Sequence, residues 1–211
     1  MEARPYSILT FTERQRLADN PESLNDFLPR FTAWAGMKTD APSYMLQAAG
    51  LMALSLAAGD TVVLPPLVGS KPIFMNIYAL MIGPSTVMRK TTVLGYIESI
   101  LPKMQQDGTD YVTFLDDVSP QAFNKVTAEK GNTMTPVIMS VDEIAGLMSQ
   151  AKKRDSHMAG FEQVLLKAYD HTPIHIARTK GNTENSWGCF VNLFAASTPA
   201  PLMEEIGRAH V

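Results

Sequence analysis

The sequence predicts an α/β fold: a mainly parallel sheet flanked by helices and preceded by a helical N-terminal segment. Three observations carry that expectation. Short, near-continuous apolar runs ("NIYALMIG", "TPVIMSVDE", "CFVNLFAAS") read as strands buried on both faces. Segments with helical spacing alternate with them. The first 70 or so residues carry helical patterns and a proline-rich stretch, with no such strand.

Taken in order, residues 1–23 are polar and weakly patterned and read as a loose arm, and 24–72 form the helical prelude. "PESLNDFLPRFTAWAG" places Leu24, Phe27, Leu28, Phe31 and Trp34 at helical spacing, interrupted by Pro29 and stopped by Gly36. Asp40 is expected to cap a second helix, with Pro42 in its first turn and Gly59-Asp60 at its end. The segment 41–60 lacks charge for 19 residues, but it is rich in Ala, Gly and Ser and has no basic flanks. It is expected to be buried in protein rather than to span a membrane. "TVVLPPLVGSKPIF" reads as a loop or edge hairpin.

The core is expected over residues 73–205. "NIYALMIG" is its first strand. The helix after it presents Val93, Leu94, Ile97, Ile100, Leu101 and Met104 on one face. "YVTFLDD" is a second strand, "SPQAFNKVTAEKG" a helix opened by Ser119 and Pro120, "TPVIMSVDE" a third strand and "FEQVLLKAYD" a helix. A hairpin turning near Gly181-Asn182 is expected to return directly into the fourth core strand, "CFVNLFAAST". The final "IGRAHV", 206–211, resembles the translation of a sequencing adapter. It is expected to be non-native, with the natural chain continuing past Glu205.

Composition narrows the function classes. The 211 residues are 45% hydrophobic and 18% charged, as a chain with a packed core requires. A net charge of −3 supplies no general attraction for nucleic acid, so any such binding needs a local patch or further subunits. The single cysteine, Cys189, excludes an internal disulfide and lies in an apolar run, where it reads as core. No secretory signal is visible, and a cytoplasmic location is expected. The histidines 157, 171, 175 and 210 have no metal-ligand spacing with Cys189.

The chemistry-bearing stretch is "LMIGPSTVMRKTTVLGYI", residues 80–97. A phosphate-binding loop between strand and helix curls backbone amides around phosphate oxygens. It adds a lysine for the β- and γ-phosphates and a hydroxyl for Mg²⁺. Gly83, Pro84, Ser85, Thr86, Arg89, Lys90, Thr91 and Thr92 are the candidate nucleotide-binding residues, with Thr91 as magnesium ligand. The loop departs from the usual G-x-x-x-x-G-K-[ST] pattern. Gly83 lies one position early, and Arg89 stands where the second glycine belongs and must adopt a conformation open to an L-residue.

"VIMSVDE" ends in Asp142 and Glu143, some 50 residues beyond Lys90. Asp142 at the strand end suits a metal held through its water shell, and Glu143 suits a general base or water-orienter. The strand "FVNLFAASTP" ends in Ser197 and Thr198; Thr198, with Ser197 second, is the candidate for sensing the γ-phosphate or holding the catalytic water. The candidate catalytic set is therefore Glu143, Lys90 and Thr198.

At these motifs the chain resembles P-loop ATPases of the additional-strand, catalytic-glutamate class, with RecA-like and AAA+ cores. It is similar, more narrowly, to the helicase-like ATPase domain of phage, plasmid and integrated-element proteins that accompany primase domains. The similarity runs from residue 24 to 202, and a loop of the form Gly-x-Ser-x-x-x-Arg-Lys-[Ser/Thr] is a variant that group tolerates. The resemblance implies a P-loop NTPase core, ATP and Mg²⁺ as cofactors, and hydrolysis at Asp142 and Glu143. It also implies use of that energy to unwind or remodel DNA during mobile-element replication, with single-stranded DNA as partner and a ring-forming homo-oligomer as assembly.

Lys152, Lys153 and Arg154 form the one basic cluster that could face DNA, and Arg178 and Lys180 could touch phosphates or a neighbour's nucleotide. No arginine finger is evident in the sequence. Two rivals remain open: a nucleotide-binding scaffold with little turnover, and a small-molecule kinase. No arginine-bearing lid of the kind such kinases use is found among residues 144–188.

Overall fold

The computed structural model describes residues 27–65, 72–85, 87–100, 112–115, 118–133, 136–153, 155–172, 174–177, 183–186 and 188–208. Within these ranges the side chains at 114, 130–133, 175–177, 183–186, 206 and 208 are not described. The expectations for the arm, for Thr86, Leu101, Met104, Arg154, Arg178, Lys180, His210 and the Gly181-Asn182 turn, and for the side chain of His175, lie outside the described residues.

The prelude forms two helices, α1 (Phe27–Gly36) and α2 (Ser43–Ala58). Pro29 falls in the first turn of α1, where its missing N–H removes no helical bond, so it does not interrupt the helix. Asp40 does not cap α2. The helix begins at Ser43 with Pro42 at the N-cap and no side-chain cap. Had Asp40 been the cap, Pro42 would occupy the N2 position and could offer no N–H to its carboxylate. Gly59 ends the helix at φ 56, a backbone conformation that favours glycine. Met45, Leu46, Ala49, Met52, Ala53 and Leu56 are buried, so the long apolar run is a core helix. Among the described residues no helix is long and apolar enough to cross a membrane.

Two short strands, β1 (Val63–Leu64) and β2 (Ile73–Phe74), pair antiparallel as the edge hairpin. The main sheet contains β3 (Tyr78–Ile82), β4 (Thr113–Leu115), β5 (Val137–Val141) and β8 (Val191–Ser197), all parallel, in the order β3-β8-β5-β4. The last strand in sequence is therefore inserted between the first and the third. Helices α3 (Lys90–Ile100) and α4 (Pro120–Thr133) follow β3 and β4, and the Ser119 hydroxyl accepts from the Ala122 N–H as the sequence expects.

Strand periodicity assigns the sheet's two faces. Ile138, Phe194 and Ala196 point into a core with α1, α2 and α3 residues such as Phe31, Met52, Val93 and Ile97. Val137, Met139, Val191, Leu193 and Ala195 point into a second core with Phe123, Phe161 and Leu165. Helices thus cover both faces, the arrangement that continuous apolar strands require. Cys189 is buried in the second core.

The sequence reading missed two helices, α5 (Ile144–Lys152) and α7 (Pro199–Arg208); α6 (Phe161–Tyr169) is the helix it expected. The hairpin also differs from expectation. Among the described residues its strands β6 (Ile174–Ala177) and β7 (Thr183–Ser186) pair only with each other, and β8 begins separately, beyond Gly188 at φ 61. A polar run, "TENS", does not suit the doubly buried place that β8 occupies.

Candidate functional site

The site lies at the carboxyl edge of the parallel sheet, where open α/β folds leave a crevice between strand ends and helix starts. β3 ends at Ile82, and the Gly83 N–H donates to the Ser197 carbonyl at 3.3 Å, extending the β3–β8 ladder by one residue. The loop then passes close over itself. A Cβ on Gly83 would stand 2.7 Å from Met88 Cγ and 3.3 Å from Met88 Cβ, so the absence of a side chain here has a steric reason. Further along the loop, the Val87 N–H donates to the Ser85 carbonyl at 2.8 Å.

Arg89 sits at φ 49, in the left-handed region that a glycine in this place would favour. Its Nε donates to Asp40 Oδ1 at 2.8 Å, and Nη2 lies 3.5 Å from Oδ2. The Arg89 hydrogen bond holds the Asp40 carboxyl below its ordinary range, and Asp40 in turn raises the guanidinium. The Arg89 carbonyl accepts from the Val93 N–H at 3.0 Å, which makes it the first acceptor of α3.

Lys90 opens α3 and is only 8% exposed. A buried ammonium needs acceptors, and it has two: the Gly83 carbonyl at 2.5 Å and the Pro84 carbonyl at 3.3 Å. The loop's own oxygens thus occupy the lysine's donors. Next to it, the Thr91 hydroxyl lies 3.0 Å and 3.1 Å from the two carboxylate oxygens of Asp142, joining the loop to the end of β5. Glu143, the residue before α5, accepts a hydrogen bond at 2.5 Å from the hydroxyl of Ser197, which is fully buried at the tip of β8.

Ser85, Arg89, Lys90, Thr91, Thr92, Asp142, Glu143 and Thr198 line one open cavity of about 370 Å³. Three segments far apart in sequence therefore converge, and β8's insertion between β3 and β5 is what brings its tip between the other two. Thr198 lines the cavity, but the strand-tip hydroxyl that engages the acidic pair is the second choice, Ser197. Burial is the signal that separates them: Ser197 ends the uniformly buried strand, whereas Thr198 is half-buried beyond it. Asp40 is the residue at this site that sequence reasoning assigned elsewhere.

The donor set suits magnesium. Thr91 Oγ1 and the Asp142 carboxylate offer only oxygens, as a hard cation held partly by water prefers. Among the described residues no group of three or more His, Cys, Asp and Glu side chains is placed to hold a metal by itself.

Of the basic cluster, Lys152 is exposed but engaged by Glu205. Its ammonium donates to the Glu205 carbonyl at 2.7 Å and lies 3.4 Å from Glu205 Oε2, tying α5 to α7. Lys153 is exposed. His171, with φ 50, stacks on Phe74 at 3.7 Å between ring centroids. Burial lowers its pKa to about 4.

No protein-family model matches the chain, and a search of curated proteins returned no match.

Proposed function

We propose that the chain is a nucleoside-triphosphate-binding domain of the P-loop type. Within that class we assign it to ATP hydrolysis of the additional-strand, catalytic-glutamate kind. The observation that carries the reading is the contact between Thr91 Oγ1 and the Asp142 carboxylate at 3.0 and 3.1 Å, which joins the lysine-bearing loop to the acidic strand end.

Each residue then has one task. The Lys90 ammonium exchanges the Gly83 and Pro84 carbonyls for β- and γ-phosphate oxygens, a swap that offsets its own desolvation and opens the loop. Amides of the first turn of α3 have no intrahelical acceptor, so they and the helix dipole favour an anion there. Thr91 and Asp142 would hold magnesium, which when bound supplies positive charge to the phosphate oxygens. Glu143 orients the attacking water and takes its proton, and Ser197 fixes the carboxylate's direction. Phosphoryl transfer asks little covalent chemistry of a protein, so positioning and charge account for most of the catalysis.

Use of this cycle to unwind or remodel DNA in mobile-element replication, within a ring-like assembly, is supported by the resemblance of the motifs and prelude. The decisive experiment is Glu143→Gln. Phosphate release is expected to fall about 100-fold or more while ATP binding persists; release at the wild-type rate refutes the catalytic assignment. For the nucleic-acid partner, anisotropy with single-stranded DNA at low and moderate salt, with and without ATP, is the direct test.

A further inference from the structure

The loop's least expected residue is anchored from outside the loop. Arg89 and Asp40 are 49 residues apart, and Asp40 lies in the connection between α1 and α2, a segment that supplies none of the cavity's lining. That connection is fixed locally: the Ala41 N–H donates to Thr39 Oγ1 at 3.3 Å and Ala41 is buried in the first core. The other end of the anchor has leverage. Arg89 is the residue whose backbone turns the loop into α3, and its carbonyl accepts that helix's first bond. The next three residues, Lys90, Thr91 and Thr92, all line the cavity. An L-residue at φ 49 is sterically disfavoured in the absence of support, whereas a glycine needs none.

We propose that Asp40 is a positioning residue for the phosphate-binding loop. By holding the Arg89 guanidinium, it keeps the backbone at 89 left-handed and so does for this loop what a glycine does elsewhere. The helical prelude therefore takes part in nucleotide affinity without touching nucleotide. This rests on the nucleotide-binding reading above.

The test compares the wild type with Asp40→Ala, Arg89→Ala, Arg89→Gly and the Asp40→Ala/Arg89→Gly double variant, using a ribose-labelled fluorescent ATP analogue with Mg²⁺. Asp40→Ala and Arg89→Ala are each expected to weaken binding about 3- to 10-fold, and Asp40→Ala is expected to have no further effect once residue 89 is changed to glycine. Three results overturn the proposal. They are no loss in Asp40→Ala, an equal loss in the arginine and glycine backgrounds, or an Arg89→Gly variant as weak as Arg89→Ala. The last would make the guanidinium a direct phosphate contact.

A second readout needs no nucleotide. Amide hydrogen exchange at residues 90–94 is expected to speed up in Asp40→Ala relative to wild type, but not in the double variant relative to Arg89→Gly. Exchange unchanged by Asp40→Ala sinks the positioning role. A wild type that fails to bind the analogue while still showing this exchange pattern sinks the nucleotide reading and leaves the positioning role standing.

Discussion

Replacing Lys90 by methionine keeps most of the side chain's apolar stem and removes its ammonium, both charge and N–H donors. In the structure the ammonium makes two charge-assisted bonds, to the Gly83 and Pro84 carbonyls. On nucleotide binding both are expected to transfer to phosphate oxygens. A hydrogen bond involving a charged group contributes about 1.5–3 kcal/mol. Because both carbonyl bonds are given up in exchange, the gain is the added attraction of the ammonium for charged phosphate oxygens, about 3–4 kcal/mol at roughly 4 Å and the effective dielectric of a protein site. With about 1.4 kcal/mol for each factor of ten, Lys90→Met should weaken ATP binding by roughly two to three orders of magnitude. The fold should persist, since methionine keeps the apolar stem and only the two carbonyls lose a donor. Isothermal titration with a slowly hydrolysed ATP analogue and Mg²⁺, alongside a thermal melt, measures both quantities. Affinity within threefold of wild type, in a variant melting normally, would refute the assignment of Lys90 to phosphate.

Removing the buried hydroxyl with Ser197→Ala deprives Glu143 of its hydrogen bond from the tip of β8; kcat should fall about 5- to 20-fold with KM within twofold, since an anchor of this kind contributes about 1–2 kcal/mol. A steady-state phosphate-release assay reads both. His171 should make stability depend on pH. Its folded pKa, about 4, lies below the ordinary 6.5, so between these values the unfolded chain binds the extra proton. Stability is then full above pH 6.5 and falls as pH drops toward 4, by on the order of 2–3 kcal/mol. Urea titrations at pH 7.5 and 4.5 should show this drop, and His171→Phe should remove most of it.

The sheet was legible because its strands are apolar nearly without interruption: β5 and β8 are buried on both faces, while β3, at the sheet edge, keeps an apolar run although Leu80 and Ile82 are exposed. "NIYALMIG", "TPVIMSVDE" and "CFVNLFAAST" each contain one core strand. Turn chemistry was legible where the residue acts locally, as with Ser119-Pro120 and Gly59. What could not be read depends on distant partners. Asp40 carries the residue type of a helix cap, and only the fold brings Arg89 to it. Lys152 reads as a free cation until α7 delivers Glu205. The α5 and α7 helices are short and carry Gly146 or opening prolines, residue types that read as breakers rather than as helix. At the site, residue types pointed to the loop and the acidic pair. The choice of Ser197 over Thr198 needed the register of β8.

Strand β8 also dictates the order in which the molecule can come together. Ile77, just before β3, donates its N–H to the buried side chain of Asn192, 115 residues later in the chain. Pairing at such separation carries a large loop-closure cost and belongs late in folding. While the chain is being synthesised, the lysine loop and the Asp-Glu pair both emerge before the strand that seats them side by side. If the proposed function holds, competence to bind a triphosphate should therefore arise abruptly, when the last core strand slides into the gap between its two older neighbours.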